Sequence, residues 1–314
     1  MLEAGGTTEL DAAREFVTKQ GRPYIGSLLH LASYLQIEES LLRQILHRPI
    51  YHYRTFEMEQ RNGKRRIIQT PRTYLKVVQW WIYDNVLSTV ELSDEVHGFR
   101  RGRSYVSNAA AHLGAKHILS VDIKDFFPSI KDEHVTQVFH NLGYSMEASS
   151  MLARFCCLHG QAPTGAPTSP MIGNLVLKRL DADLSARARM IGACYTRYAD
   201  DLTFSSPDYI ETKFLDDVRS IVRANDFRLN DSKTKFLGRG QRMEVTGLTV
   251  NGVLRATRSW RNSTRGLLHR ATRDENFRIQ NLHRIIGVYG VLKAFDPEES
   301  ERLTKTAKQL AQRR

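Results

Sequence analysis

Two short stretches constrain this chain more than anything else in it. His117-Ile118-Leu119-Ser120-Val121-Asp122 is an apolar strand that ends in a carboxylate, and Cys194-Tyr195-Thr196-Arg197-Tyr198 and Leu202-Thr203-Phe204-Ser205-Ser206 are β-prone runs flanking Ala199-Asp200-Asp201. The second stretch is a hairpin with two aspartates at its tip. Adjacent acids repel one another and no turn requires both, so their placement makes most sense if a cation neutralises them. An Asp-Asp pair by itself is usually a solvated turn. Three carboxylates on neighbouring strand ends, however, would offer the hard oxygen donors and open water positions that Mg²⁺ takes.

The rest of the composition narrows what surrounds these carboxylates. With 314 residues, 41% hydrophobic and 25% charged, the chain can bury a substantial core, and disordered, collagen-like and coiled-coil readings lose support. The apolar stretch Val77 to Tyr83 is interrupted by Gln79 and falls well short of the roughly 18 to 20 residues that span a bilayer. Met1 to Gly6 lack the basic start and apolar run of a secretory signal, so a cytoplasmic protein with no membrane partner is expected. Cys156, Cys157 and Cys194 are odd in number and have no CxxC spacing, which predicts buried free thiols. A net charge of +12 calls for a polyanionic partner. From Arg255 onward 14 Lys and Arg face 6 Asp and Glu, so most of the excess lies in the last 60 residues.

Periodicity gives the organisation. Thr8 with Asp11 forms a capping-box pattern that opens a helix through about Lys19, and Ser27–Leu35 and Glu38–Leu46 predict two more helices around a turn at Gln36-Ile37. Their cadence is that of a helix-turn-helix, but Glu38 and Glu39 would repel phosphates, which favours a structural helical segment. From Tyr51 to about Val250 short β-like runs alternate with helical ones. Arg54–Gln60 and Arg65–Thr70 flank the turn Arg61-Asn62-Gly63-Lys64, a hairpin with a basic tip. Leu75–Leu87 predicts a helix whose Trp80 and Trp81 are read as core. Arg258–Arg273 wound as a helix puts Arg258, Arg261, Arg265, His269 and Arg273 on one face about 120° wide, opposite Trp260, Leu267, Leu268 and Ala271. Leu282, Ile285, Ile286, Tyr289 and Leu292 then recur at helical spacing, ending near Asp296-Pro297.

A strand ending in Asp122, followed 78 residues later by Asp200 within Tyr198-Ala199-Asp200-Asp201, resembles the palm of reverse transcriptases. Further blocks agree in order and spacing. Pro163 to Pro170 looks like the family's Pro-Gln-Gly segment, with Asn174 beyond it; Asn230-Asp231-Ser232-Lys233-Thr234 is similar to its Asn-x-x-Lys-Thr block, and Leu237 to Val250 to its primer-grip hairpin. Asn108-Ala109-Ala110-Ala111-His112 and Val245-Thr246-Gly247 match two signatures of the bacterial retron group. The resemblance implies an α+β right-hand polymerase fold with an N-terminal helical extension (1–50), fingers (51–116), a palm of antiparallel sheet and helices (117–250, part of 131–165 being assignable to the fingers) and a basic helical thumb (251–314).

It also implies a chemistry. A primer hydroxyl attacks the α-phosphate of a deoxynucleotide, and two Mg²⁺ ions about 4 Å apart, with Mn²⁺ as a substitute, stabilise attacking and leaving oxygens. Asp122, Asp200, Asp201 and the Ile123 carbonyl would hold the ions, and Lys233 would act as general acid or phosphate contact. Lys64, Arg65 and Arg66 are candidates for the triphosphate, with Thr164 and Gly165 beside it; Phe127 stands where an aromatic plate would exclude a 2′-OH. Thr164 replaces the family's usual Gln, so that one contact does not carry over. Val245, Thr246 and Gly247 would grip the primer, and Asn108, His112, Arg258, Arg261, Arg265, Arg270 and Arg273 would touch RNA. The implied partners are dNTPs, a cognate structured noncoding RNA primed at an internal guanosine 2′-OH, the RNA-linked cDNA product, and an effector or toxin protein in anti-phage defence. Three alternatives stay open: another class of bacterial reverse transcriptase, a non-catalytic nucleic-acid-binding regulator, and a generic two-metal nuclease.

Overall fold

The structure is a computed structural model that describes residues 8–59, 63, 65–294 and 301–312. In chain order its helices are α1 (Glu9–Gln20), α2 (Leu28–Leu35), α3 (Glu39–His47), α4 (Thr73–Ile82), α5 (Tyr105–Ala110), α6 (Phe126–Ser129), α7 (Asp132–Asn141), α8 (Met146–Cys156), α9 (Ser169–Val176), α10 (Lys178–Arg189), α11 (Thr212–Ala224), α12 (Arg258–Arg273), α13 (Glu275–Gln280), α14 (Leu282–Ala294) and α15 (Glu301–Gln312). The strands are β1 (Tyr53–Glu59), β2 (Arg65–Pro71), β3 (His117–Asp122), β4 (Cys194–Tyr198), β5 (Asp201–Ser206), β6 (Lys235–Leu237), β7 (Glu244–Val245), β8 (Leu248–Thr249) and β9 (Arg255–Ala256). They gather into two compact units. The first takes the chain through Phe99 with Ile123–Asp183 and Ile221–Leu229; the second takes Arg100–Asp122, Leu184–Ser220 and the chain from Asn230 onward. The stretch 117–250 therefore contributes to both.

In the first unit, α1 opens on the reciprocal Thr8–Asp11 box and α2 on the Ser27 hydroxyl, and the turn between α2 and α3 places Gln36 at φ +53°. These helices pack into the same unit as α7 and α8. Phe16 lies 4.9 Å from the Tyr144 ring, the Tyr144 hydroxyl donates to the Pro23 carbonyl at 2.8 Å, and Arg154 donates to the Leu46 carbonyl at 2.9 Å. β1 and β2 pair antiparallel from Tyr53↔Pro71 to Glu59↔Arg65. Leu75, Val78, Gln79 and Ile82 form the buried face of α4, and the Gln79 amide donates to the Tyr53 hydroxyl and the Phe155 carbonyl, both at 2.8 Å. That helical phase turns Trp80 outward at 46% exposure, which corrects its reading as core, while Trp81 stacks on Tyr34. The helix continues to Leu87 as expected, but through a π-helical turn from Tyr83.

The second unit is built on a four-stranded antiparallel sheet in the order β4-β5-β3-β6. Leu119, Val121, Leu202 and Phe204 are buried in it, so its two central strands are fixed in register by apolar packing. A smaller sheet, β7-β8-β9, closes over Ala109, Ile118, Met243, Val245, Leu248, Val250 and Ala256. Helices α12 to α15 share their own core of Leu268, Ala271, Ile285, Leu292, Ala307 and Leu310. Of these, α12 spans the expected Arg258–Arg273, whereas α15 lies past the point where the helical pattern in the sequence stops. Cys156 and Cys157 are buried as expected, but Cys194 is exposed at the start of an edge strand. No helix among the described residues is long and apolar enough to cross a membrane.

Candidate active site

The sheet brings the carboxylates together. Asp122 ends β3 directly opposite Asp201, the first residue of β5, and Tyr198 pairs with Asp201 across β4 and β5. The hairpin turn is therefore just Ala199-Asp200. Ala199 takes a left-handed φ of +58°, and the wholly buried Arg197 donates to its carbonyl at 3.2 Å. Asp122 is buried, Asp200 half-buried and Asp201 exposed. The chain returns to Asp122 at the end of the palm stretch: the Asn230 backbone N–H donates to the Asp122 carbonyl at 2.8 Å, and Lys233 Nζ donates to Asp122 Oδ2 at 2.6 Å. Asn230 and Lys233 are thus held in the same motif for one task, fixing Asp122 from the backbone and from the carboxylate.

The electrostatics follow from crowding three acids. Surrounding protein, then the charges of Asp200 and Asp122, push the Asp201 carboxyl up to about 6 despite the opposing pull of Lys233 and Lys235. Burial works against the charged form of Lys233, but its hydrogen bond to Asp122 and the charges of all three aspartates outweigh that and raise its pKa. Among the described residues no three Asp, Glu, His or Cys side chains close into a preformed metal cage. Mg²⁺ does not require one, because it is usually held by one or two carboxylates together with water and substrate phosphates. Hard oxygen donors whose mutual repulsion already raises a pKa fit a divalent cation.

Other residues singled out in the sequence fall in varied surroundings. Phe126 is buried against Gly173, where a Cβ would come within 2.8 Å of its ring, whereas Phe127 is half-buried beside Phe99. Of the two rings, Phe127 is the less buried. Thr164 accepts the Gln69 N–H at 2.9 Å through its carbonyl. Gly165 has φ +119°, and a Cβ there would lie only 3.1 Å from the Gln69 carbonyl, so conformation and space both require glycine. Arg65 pairs with Glu57 at 3.0 Å and Arg66 is exposed; Lys64 lies outside the described residues. Arg258, Arg265, Arg270 and Arg273 are exposed along α12, Arg261 is half-buried, and Arg270 sits over the Phe277 ring at 4.2 Å.

Two expected RNA contacts are corrected. Asn108 and His112 are each 1% exposed and cannot reach a surface ligand. His112 instead hydrogen-bonds Ser205 and Thr196, both at 2.7 Å, and neither amide atom of Asn108 has a hydrogen-bond partner among the described residues. They were singled out by a signature match, which carries no information on which way α5 faces. Val245 is likewise core, with Thr246 half-buried and Gly247 exposed at the tip of the β7–β8 hairpin. Arg197 was missed altogether. An arginine inside a β-prone run, three residues before the paired aspartates, was the available signal.

Comparison with known proteins decides the family. The profile described as "Reverse transcriptase (RNA-dependent DNA polymerase)" matches residues 58–250. The Retron Mx65 reverse transcriptase of Myxococcus xanthus is 34% identical over 318 residues, covering 93% of this chain and 74% of that protein. This chain belongs to the bacterial retron reverse transcriptases. The Retron Ec86 reverse transcriptase of Escherichia coli is 35% identical over 234 residues, covering 74% of this chain and 73% of its own. A solved telomerase from Candida albicans, in complex with a fragment of telomeric RNA, aligns over 69% of this chain and 50% of that one with 10% identity and a TM-score of 0.43. Family membership makes the protein an RNA-directed DNA polymerase of mixed helix and antiparallel sheet, acting on an RNA template and dNTPs, in a family that generally uses divalent metals.

Proposed function

We propose that the protein makes RNA-linked single-stranded cDNA (msDNA) by nucleotidyl transfer at Asp122, Asp200 and Asp201, primed by the 2′-OH of an internal guanosine in its own structured noncoding RNA. The observation that carries this reading is the register that sets Asp122 opposite Asp201, with Asp200 next to it in a two-residue turn. These carboxylates, with the Ile123 carbonyl, would hold two Mg²⁺ ions. When bound, such a pair supplies charge for the attacking and leaving oxygens of an in-line phosphoryl displacement. Lys233, a cation in contact with Asp122, offers a proton or a charge to the departing pyrophosphate. Arg65, Arg66 and Lys64 would neutralise the triphosphate, Phe127 would exclude a 2′-OH by its bulk, Thr164 and Gly165 would lie along the nucleotide, and Thr246 and Gly247, at the hairpin tip anchored by the buried Val245, would hold the primer end. Asp200→Asn should abolish Mg²⁺-dependent dNTP incorporation, by at least ~10³-fold, with folding intact; near-normal synthesis would refute the assignment.

RNA recognition is assigned to α12. Arg258, Arg261, Arg265, Arg270 and Arg273 supply backbone contacts of the kind that read a structured RNA by shape and charge. Charge reversal at Arg265 and Arg273 together should weaken RNA binding by ~10-fold or more and flatten its salt dependence while sparing extension of a generic primer-template. Affinity equal to wild type across salt concentrations would remove α12 from the interface. A cytoplasmic role in anti-phage defence with an effector or toxin protein is part of this proposal. Nucleic acid copurified from the native locus tests the whole: DNA whose mobility shifts after both RNase and debranching supports it, and RNA without attached DNA defeats the priming mode.

A further inference from the structure

We infer that α5 and the turn after it are a strut that sets the Thr246-Gly247 turn relative to the catalytic hairpin, with Thr246 and His112 as positioning residues at its two ends. The inference rests on the reading of the three aspartates as the reaction centre and of Val245-Thr246-Gly247 as the primer-side hairpin. At one end, the Thr246 hydroxyl donates to the Tyr105 carbonyl at 2.8 Å. At the other, the His112 imidazole joins Thr196 on β4 to Ser205 on β5, so one buried ring cross-links both strands that carry the Ala199-Asp200 turn. The exposed Cys194 thiol adds a weaker tie to the Ala111 carbonyl at 3.6 Å. Tyr105 and His112 are seven residue steps apart, about 10 Å at helical rise. Ala109 on α5 packs into the cluster that contains Val245, Leu248 and Val250, and Gly114 N–H donates to the Val250 carbonyl at 3.0 Å. The strut therefore meets both hairpins through a buried polar contact or an apolar core, and each hairpin end is fixed to the same short segment.

Thr246 separates positioning from ordinary packing. It has φ +45° and Gly247 has φ +83°, and Val245 pairs with Leu248, so the hairpin is a two-residue turn with both central residues left-handed. Such turns favour Asn-Gly or Gly-Gly, and a β-branched residue in the first position is strained. A chain selected only for a stable turn would carry asparagine here. Threonine supplies what asparagine does not in this geometry, a short hydroxyl that reaches the Tyr105 carbonyl.

The test compares Thr246→Asn with Thr246→Ser, measuring thermal unfolding, primer-template Kd, and kcat for addition of the first nucleotide in Mg²⁺. Thr246→Asn is expected to unfold at or above the wild-type temperature yet lose ~10-fold in kcat, more than any change in primer-template Kd, because small misplacements of reacting groups have large kinetic effects. Thr246→Ser keeps the hydroxyl and should restore kcat. Ser205→Ala, which removes one His112 contact, should also lower kcat, and its combination with Thr246→Asn should be no worse than the worse single variant. Unchanged kcat in Thr246→Asn, a loss that follows unfolding temperature, or multiplying losses in the double variant would each overturn the strut. Asp200→Asn measured alongside keeps the two readings apart. If it still synthesises DNA, the reaction centre is misassigned; if it is dead while Thr246→Asn is normal, only the strut falls.

Discussion

The β4–β5 and β7–β8 hairpins solve the same local problem with different support. Each turns in two residues, each puts a non-glycine residue in the left-handed region at the first turn position, and each has a hydrogen bond that ties down that position: Arg197 to the Ala199 carbonyl, and Thr246 to Tyr105. The first grows out of a five- and a six-residue strand whose interior is buried; the second has strands of two residues on a small apolar cluster. Strain at a turn persists when the surroundings over-determine it. In the β4–β5 hairpin that over-determination comes from the sheet and a buried guanidinium, whereas in the smaller hairpin it falls on a single hydroxyl. The first should resist everything except loss of its buried charge, and the second should respond to single atoms.

The largest expected effect distinguishes what the first turn carries from what holds it. Asp200→Asn removes charge from a crowded set of acids, so alongside losing synthesis it should leave the chelator-treated protein no less stable than wild type. A marked fall in its denaturation midpoint would mean that Asp200 supports the fold. Arg197→Met does the opposite. It takes a wholly buried guanidinium from its partners and should cost about 3 kcal/mol or more, with activity falling as the turn loosens. Thr246→Val, which removes the hydroxyl and keeps the β-branched strain that Thr246→Asn relieves, should cost only ~1 kcal/mol. If urea midpoints show the two ties to be equal, the contrast between the hairpins is wrong.

A pH experiment comes next in size. Asp201 in the folded, metal-free protein titrates at about 6, above the ordinary value of 3.8. A carboxyl raised on folding favours the folded state most where it is protonated in both states, so its contribution is present below about pH 4 and is lost as pH rises through about 6. In a chelator, the stability difference between Asp201→Asn and wild type should therefore move in favour of the variant between about pH 4 and 6. Saturating Mg²⁺ should reverse that trend, because a bound cation favours the ionised form. A difference independent of pH, followed by thermal unfolding of both proteins, would mean that Asp201 does not feel its neighbours.

The same contrast explains what could be read from the sequence. Features written in local grammar were legible: the Thr8–Asp11 box, the strand His117–Asp122 and the Asp-Asp turn need only residue type and spacing. Facing direction was not. Trp80 lies on a helix found by pattern, and Asn108 and His112 in a signature match, yet which side met the core depended on partners far along the chain, such as Phe155 beneath α4 or Ser205 beside His112. α15 was missed because Asp296-Pro297 reads as a stop, and its buried Ala307 and Leu310 make a narrow apolar stripe among charges. Arg197 was hidden by hydrophobic patterning itself, which has no place for a buried cation. The three aspartates were thus visible from sequence, and the apparatus that aims them was not.

The smallest effect sharpens the comparison most directly, through glycine exchanges at the two turns. Ala199→Gly relieves a side chain at φ +58°, worth about 1–2 kcal/mol, but adds unfolded-state freedom that returns about 0.5–1 kcal/mol, so the net should be slight stabilisation. Gly247→Ala adds a Cβ at φ +83° that meets nothing within 4 Å among the described residues, so left-handed strain of about 1–2 kcal/mol is set only against reduced unfolded-state freedom and the net loss should be about 1 kcal/mol or less. Urea denaturation at constant m-value reads both changes. Because the Ala199-Asp200 turn is held by its sheet, Ala199→Gly should leave kcat within about twofold of wild type, whereas the weakly supported turn of Gly247→Ala should shift and lower kcat more than its stability loss explains. Opposite behaviour, with the glycine exchange at Ala199 damaging synthesis and the one at Gly247 harmless, would place the strain-bearing, position-sensitive turn in the catalytic hairpin instead.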